Sequence, residues 1–136
     1  MTALRSLLGS IAAVALTLTA CGSNATSEPA REYVLHLRMD DDTEEYVYIA
    51  EDPIDIRVGD RVNFEVRNDG TLDHDLQVVG PDGLAVATAD AVGPAQSLML
   101  TVDFDETGIY QLNCLVDNHL TEHGMQALVQ VTEPDA

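Results

Sequence analysis

Residues 97–131 read "SLMLTVDFDETGIYQLNCLVDNHLTEHGMQALVQV". In the first eight positions Leu98, Leu100, Val102 and Phe104 alternate with Met99, Thr101 and Asp103. A period of two places successive side chains on opposite faces, which predicts a half-buried strand. Glu106-Thr107-Gly108 turns the chain, and residues 109–114 form the next strand. Residues 125–131 alternate again and predict a third. Three strands in thirty-five residues, joined by turns and one longer loop, set the class as all-β.

Upstream residues repeat the pattern. "EYVLHLRM" at 32–39 alternates Tyr33, Leu35, Leu37 and Met39 against Val34, His36 and Arg38. "DDDTEE" at 40–45 reads as a solvated turn, followed by a short β run at 46–50. "IDIRV" lies between Pro53 and the Gly59-Asp60 turn. "RVNFEVR" at 61–67 puts Val62, Phe64 and Val66 on one face. "NDG" at 68–70 is turn chemistry, residues 74–79 form a strand, and "GPDG" at 80–83 turns again. About eight short strands with no amphipathic helix between them predict a β-sandwich or barrel. Met39 and Met99 are read as packing residues, and His36 as a surface residue.

The chain begins differently. Arg5 precedes an uncharged run from Leu7 to Ala20 that ends in Leu18-Thr19-Ala20-Cys21. The run is short for a membrane span and has the n-region and h-region of a signal peptide. Its end resembles the bacterial lipobox, which implies cleavage before Cys21 and a lipid on that thiol. The expected organisation is a lipoprotein signal at 1–20, a flexible tether at 21–31 carrying lipidated Cys21, and one domain at 32–136. The tether is small and polar, and its Asn24-Ala25-Thr26 sequon is read as accidental. The domain is then exported and anchored to the outer face of the cell membrane.

Charge narrows the functions available. There are 24 acidic residues against 6 basic ones, all arginine, for a formal net charge of −18. Removing the signal takes Arg5 with it and moves this to −19. A nucleic-acid partner is excluded, because phosphate binding needs a basic footprint. An acidic, lysine-free surface resembles that of halophile proteins, and a high-GC genome explains it equally well. No Ser-His-Asp spacing, phosphate-binding loop or paired-carboxylate motif stands out, so the chain is not expected to be an enzyme.

"CLVDNHLTEHGM" at 114–125 carries the chemistry. If Cys21 is lipidated, Cys114 is the remaining thiol of an exported protein, which implies pairing, reactivity or a metal. It closes one strand, and Gly124-Met125 opens the next, with His119 and His123 in the loop between. His74 stands at the mouth of another strand. One thiolate, two imidazoles and a weak thioether are the donors that suit copper in electron-transfer sites. Structural zinc takes four strong ligands, and thioether is a poor one for it. A domain of this size buries roughly 60–70% of its unfolded surface, so a metal here is expected to be functional.

Residues 51–132 resemble the cupredoxins, the small blue copper proteins of the plastocyanin, amicyanin, pseudoazurin and halocyanin kind. "PIDIRVGDRVNFEVRNDGTLDHDLQVV" at 53–79 looks like their first half, a strand pair leading to an Asn and the first His ligand. "VGPAQSLMLTVDFDETGIYQLNCLVDNHLTEHGMQALVQV" at 92–131 looks like their second half, with Gly-x-Tyr-x-x-x-Cys, then His, then Gly-Met. The resemblance implies a Greek-key sandwich binding one copper ion through His74, Cys114, His119 and axial Met125. It implies a monomeric electron carrier that cycles Cu(I)/Cu(II), with an edge of His119 meeting a redox protein or a membrane respiratory complex. The alternative is a copper chaperone or copper-resistance protein of the same fold. A third reading is a metal-free interaction module.

The resemblance has departures. Five residues rather than four separate His119 from Met125, and Asp117-Asn118 replaces the usual Pro-Gly. Ala127 stands where a glycine is common. His123, at Cys-x₈-His, is a second possible imidazole and matches the longer loop of copper nitrite reductases. Asp73 and Asp75 flank His74 and belong to the acidic surface, unless one of them orients the loop.

Overall fold

The computed structural model describes residues 29–135. The expected signal peptide at 1–20, Cys21 and most of the expected tether lie outside the described residues. Nine strands follow in order: β1 Arg31–Asp40, β2 Val47–Ala50, β3 Ile56–Arg57, β4 Asp60–Asn68, β5 His74–Val79, β6 Ala85–Val92, β7 Ser97–Asp103, β8 Gly108–Asn113 and β9 Gln126–Thr132. One sheet has the order β2-β1-β4-β7 and the other β3-β9-β8-β5-β6. β4 pairs with β7 while the intervening β5–β6 hairpin lies in the opposite sheet, a Greek-key crossover. β1 runs parallel to β4, and β3 parallel to β9. Among the described residues no helix is long and apolar enough to cross a membrane.

The alternating positions form the core. Leu35, Leu37 and Met39 of β1, Val62, Phe64 and Val66 of β4, and Leu98 and Val102 of β7 are buried. They face Leu76, Val78, Leu112, Val129 and Val131 of the second sheet. Phe104 joins the layers, edge-on to Phe64 and to Tyr110 with ring centroids 6.3 and 4.9 Å apart. Such arrangements match the ring quadrupole and add to the area buried.

Two sequence expectations are corrected. β6, "AVATADAV", does not read as a strand in sequence because alanines supply no apolar contrast. It forms as an edge strand on β5, with Ala87 and Ala89 half-buried against the core. Met99 is not a packing residue: it is 61% exposed, because strict alternation puts it outward with Thr101 and Asp103. His36 is exposed as expected, its Nδ1 2.8 Å from Asp52.

One half-buried ion pair fastens the start of β1. Asp60 is 1% exposed, accepts from Arg31 Nε at 2.9 Å, and is also bonded by the Arg57 backbone amide at 2.9 Å. Burial alone would raise its pKa. The Arg31 guanidinium and the amide outweigh that and hold the carboxyl below its ordinary range.

Candidate metal centre

The site lies at one end of the five-stranded sheet. β5 starts at His74, β8 ends one residue before Cys114, and β9 starts one residue after Met125. Gln77 is in register with Asn113, and Asn113 with Gln126. Three neighbouring strand ends therefore deliver residues that are far apart in sequence to one place. The long β8–β9 connection folds back over that end. Asp117 turns it at a φ of 44°, which Asp tolerates better than most residues. Gly124 takes a φ of 65°, where a side chain would be strained.

His74, Cys114 and His119 are all buried and converge. His119 Nδ1 lies 3.1 Å from His74 Nδ1 and 3.5 Å from Cys114 Sγ, and His74 Nδ1 lies 3.8 Å from the sulfur. A triangle with those edges has its centre about 2.0 Å from each corner, close to the metal–nitrogen and metal–sulfur distances of about 2.0 and 2.3 Å in protein sites. Three lone-pair donors crowded into an apolar interior repel one another unless a proton or cation sits among them. Two imidazoles and a thiol in a trigonal set suit copper. The three residues form a candidate site for a single copper ion.

Met125 is fully buried, and its backbone ties the loop together. Its amide donates to the His119 carbonyl at 2.9 Å, and its carbonyl accepts from the Cys114 amide at 3.2 Å. His123 stands apart from the cluster. It is half-buried, its ring centroid is 6.4 Å from that of His119, and its Nδ1 donates to the Glu44 carbonyl at 3.0 Å.

Burial favours the neutral forms of Cys114 and His119. Burial pushes the Cys114 thiol up to about 11, partly countered by backbone N–H groups of Asp75 and Val116 at the sulfur. Burial also holds His119 below the ordinary imidazole range, and neighbouring His74 adds to this. A metal entering the site must displace the thiol proton.

Two residues of the β1–β2 connection complete the site, and sequence reasoning missed both. Tyr46 lies edge-on to His74 and His119, with centroids 5.9 and 4.9 Å away, and covers them. His119 is consequently only 4% exposed, so the imidazole edge implied by the resemblance is narrow. Asp41 lies with Oδ2 2.9 Å from His74 Nε2. Nothing local separates Asp41 from its acidic neighbours, and a tyrosine starting a β run reads as packing. Of the two flanking aspartates, Asp75 orients the loop: its Oδ1 accepts from the Leu115 amide at 2.6 Å.

No family model matches the chain, and no curated protein matches it in sequence. Solved structures match it in shape. A dithionite-reduced auracyanin from Roseiflexus castenholzii superposes with a TM-score of 0.56 at 17% identity, covering 77% of this chain and 98% of that one. Auracyanin B gives 0.58 at 15% identity over 78% and 91%. Auracyanin A from Chloroflexus aurantiacus, described as a "blue" copper protein, gives 0.55 at 15% over 73% and 99%. With both sheets and their crossovers in place, the described domain has the β-sandwich fold of the cupredoxins.

Proposed function

We propose that the protein is a mononuclear copper electron carrier. The observation that carries this reading is the buried convergence of His74 Nδ1, His119 Nδ1 and Cys114 Sγ, with Met125 buried beside them. Bound copper supplies a one-electron Cu(I)/Cu(II) couple there. The chain's own residues do the rest. His74, Cys114 and His119 would hold the ion, Met125 buried beside them would offer a weak thioether donor, and the thiolate with its N–H partners would tune the potential. Tyr46 and the β8–β9 loop exclude water. Because His74, Cys114 and Met125 stand at paired strand ends, they would move little between oxidation states, which would keep reorganisation on electron transfer small.

The same burial weighs against the copper-delivery alternative. Handing Cu(I) to an acceptor requires ligands within the acceptor's reach, and these are nearly inaccessible. The proposed partner is a redox protein or membrane respiratory complex. Asp73 and Asp117 line the hollow beside His119, and Glu45 and Glu122 the one beside His123, which favours a basic docking face. Cys21 lipidation would hold the protein at the outer face of the cell membrane, and the docking domain is proposed to act as a monomer.

Loading with Cu(II) and recording the visible and electron-resonance spectra tests the reading. We expect an intense thiolate-to-copper band that bleaches reversibly on reduction with the metal retained. A colourless, tetragonal copper adduct, or loss of Cu(I) to a weak acceptor, would sink it.

A further inference from the structure

Asp41, the first residue beyond β1, has a side chain only 1% exposed. A carboxylate at that depth needs partners, and it has several. It accepts from the Thr71 amide at 2.8 and 2.9 Å, the Thr71 hydroxyl at 3.0 Å, the Leu72 amide at 2.8 Å and His74 Nε2 at 2.9 Å. Gly70 makes room for it, because a Cβ there would lie 2.5 Å from Asp41 Oδ2. Asn68 holds that turn through the Gly70 amide and the Leu72 and Val92 carbonyls.

This arrangement has two chemical consequences. A carboxylate held by N–H donors accepts the ring proton of His74. His74 then carries its hydrogen on Nε2, and the Nδ1 lone pair faces Cys114 and His119. The second consequence concerns charge. Among the described residues His74 is the only basic group within ion-pair reach of Asp41. A neutral, metal-binding His74 leaves the hydrogen-bonded Asp41 carboxylate without a formal counter-charge from the protein. A metal ion held at His74 Nδ1 would supply that counter-charge. Asp41 and the Cys114 thiolate together carry two negative charges, so a divalent ion makes the buried site neutral and a monovalent ion leaves it anionic.

Resting on the copper reading, we propose that Asp41 is a positioning residue that fixes the tautomer of His74. We propose further that its charge, relayed through that ring, favours Cu(II) over Cu(I) and lowers the reduction potential.

The experiment uses two substitutions and two readouts. Nitrogen NMR of the metal-free protein reports the His74 tautomer, and competition titrations give separate dissociation constants for Cu(II) and Cu(I). The wild type should show the proton on Nε2. Asp41→Asn keeps an oxygen for that proton but removes the charge. It should retain the tautomer, lose roughly 10–100-fold in Cu(II) affinity and far less in Cu(I) affinity, and so raise the potential. Gly70→Ala crowds the carboxylate without altering the charge of residue 41, and should loosen the tautomer. A wild-type proton on Nδ1, or an Asp41→Asn protein with an unchanged Cu(II)-to-Cu(I) affinity ratio, overturns the proposal. The NMR arm needs no copper. If the wild type gives no blue band, the copper reading and the charge effect fall together, while the tautomer result still decides the positioning role.

Discussion

Tyr46 and His123 stack face to face, with ring centroids 4.1 Å apart and planes 7° from parallel. The Tyr46 amide donates to the His123 carbonyl at 3.1 Å, and His123 Nδ1 donates to the Glu44 carbonyl at 3.0 Å. The two loop histidines are thereby separated. His119 turns its Nδ1 into the cluster, whereas His123 presses on the outer side of the tyrosine that covers it. A histidine bound this way holds Tyr46 against His119.

The first prediction separates the two rings. His119→Gly should lose the blue band and regain it on adding imidazole, the free ring taking the vacated place. His123→Ala should keep the spectrum nearly unchanged. Titration of both variants with Cu(II) and then imidazole checks this. Loss and imidazole rescue in the His123 variant instead would make His123 the equatorial ligand.

Cys114→Ser should abolish the charge-transfer band, because a buried hydroxyl is neither as soft nor as easily ionised as a thiol. The variant should still fold, since serine is close in size. Circular dichroism and the Cu(II) spectrum together decide the matter, and a band surviving in the serine variant refutes the assignment.

The Arg31–Asp60 pair predicts a specific acid sensitivity. The folded pKa of Asp60 is depressed, so its contribution is fully present above the unfolded value of about 4 and is lost as pH falls through the lower folded value. Arg31→Met leaves Asp60 buried without its cation and should cost about 1–3 kcal/mol at neutral pH. Urea unfolding at neutral and acid pH measures both. The difference between wild type and variant should shrink at acid pH, and a difference independent of pH would contradict this account.

Cys21→Ser tests the processing proposed from the Leu-Thr-Ala-Cys end of the signal. The variant should either remain unprocessed or be released from the membrane fraction of cells. Normal processing with unchanged membrane fractionation would remove the lipid anchor from the proposed function.

Alternation alone made the strands at 32–39, 61–67 and 97–104 legible in sequence, because burying one face of a sheet demands a period of two. The order of His74, Cys114, His119 and Met125 was legible because each stands beside turn or strand signals. β6 was not, since its alanines lack contrast, and it exists by pairing with β5. Asp41 and Tyr46 were invisible for another reason. In sequence Asp41 lies within, and Tyr46 directly after, an acidic run that reads as solvated, and only the packing of one sheet's connection onto the end of the other carries them to the histidines. The candidate donors were therefore named in sequence, their set implied by the cupredoxin resemblance, with His119 and His123 left as alternatives. The closure of the site, the charge placed behind His74 and the separation of His119 from His123 were decided by tertiary structure, because each depends on contacts between segments distant in the chain.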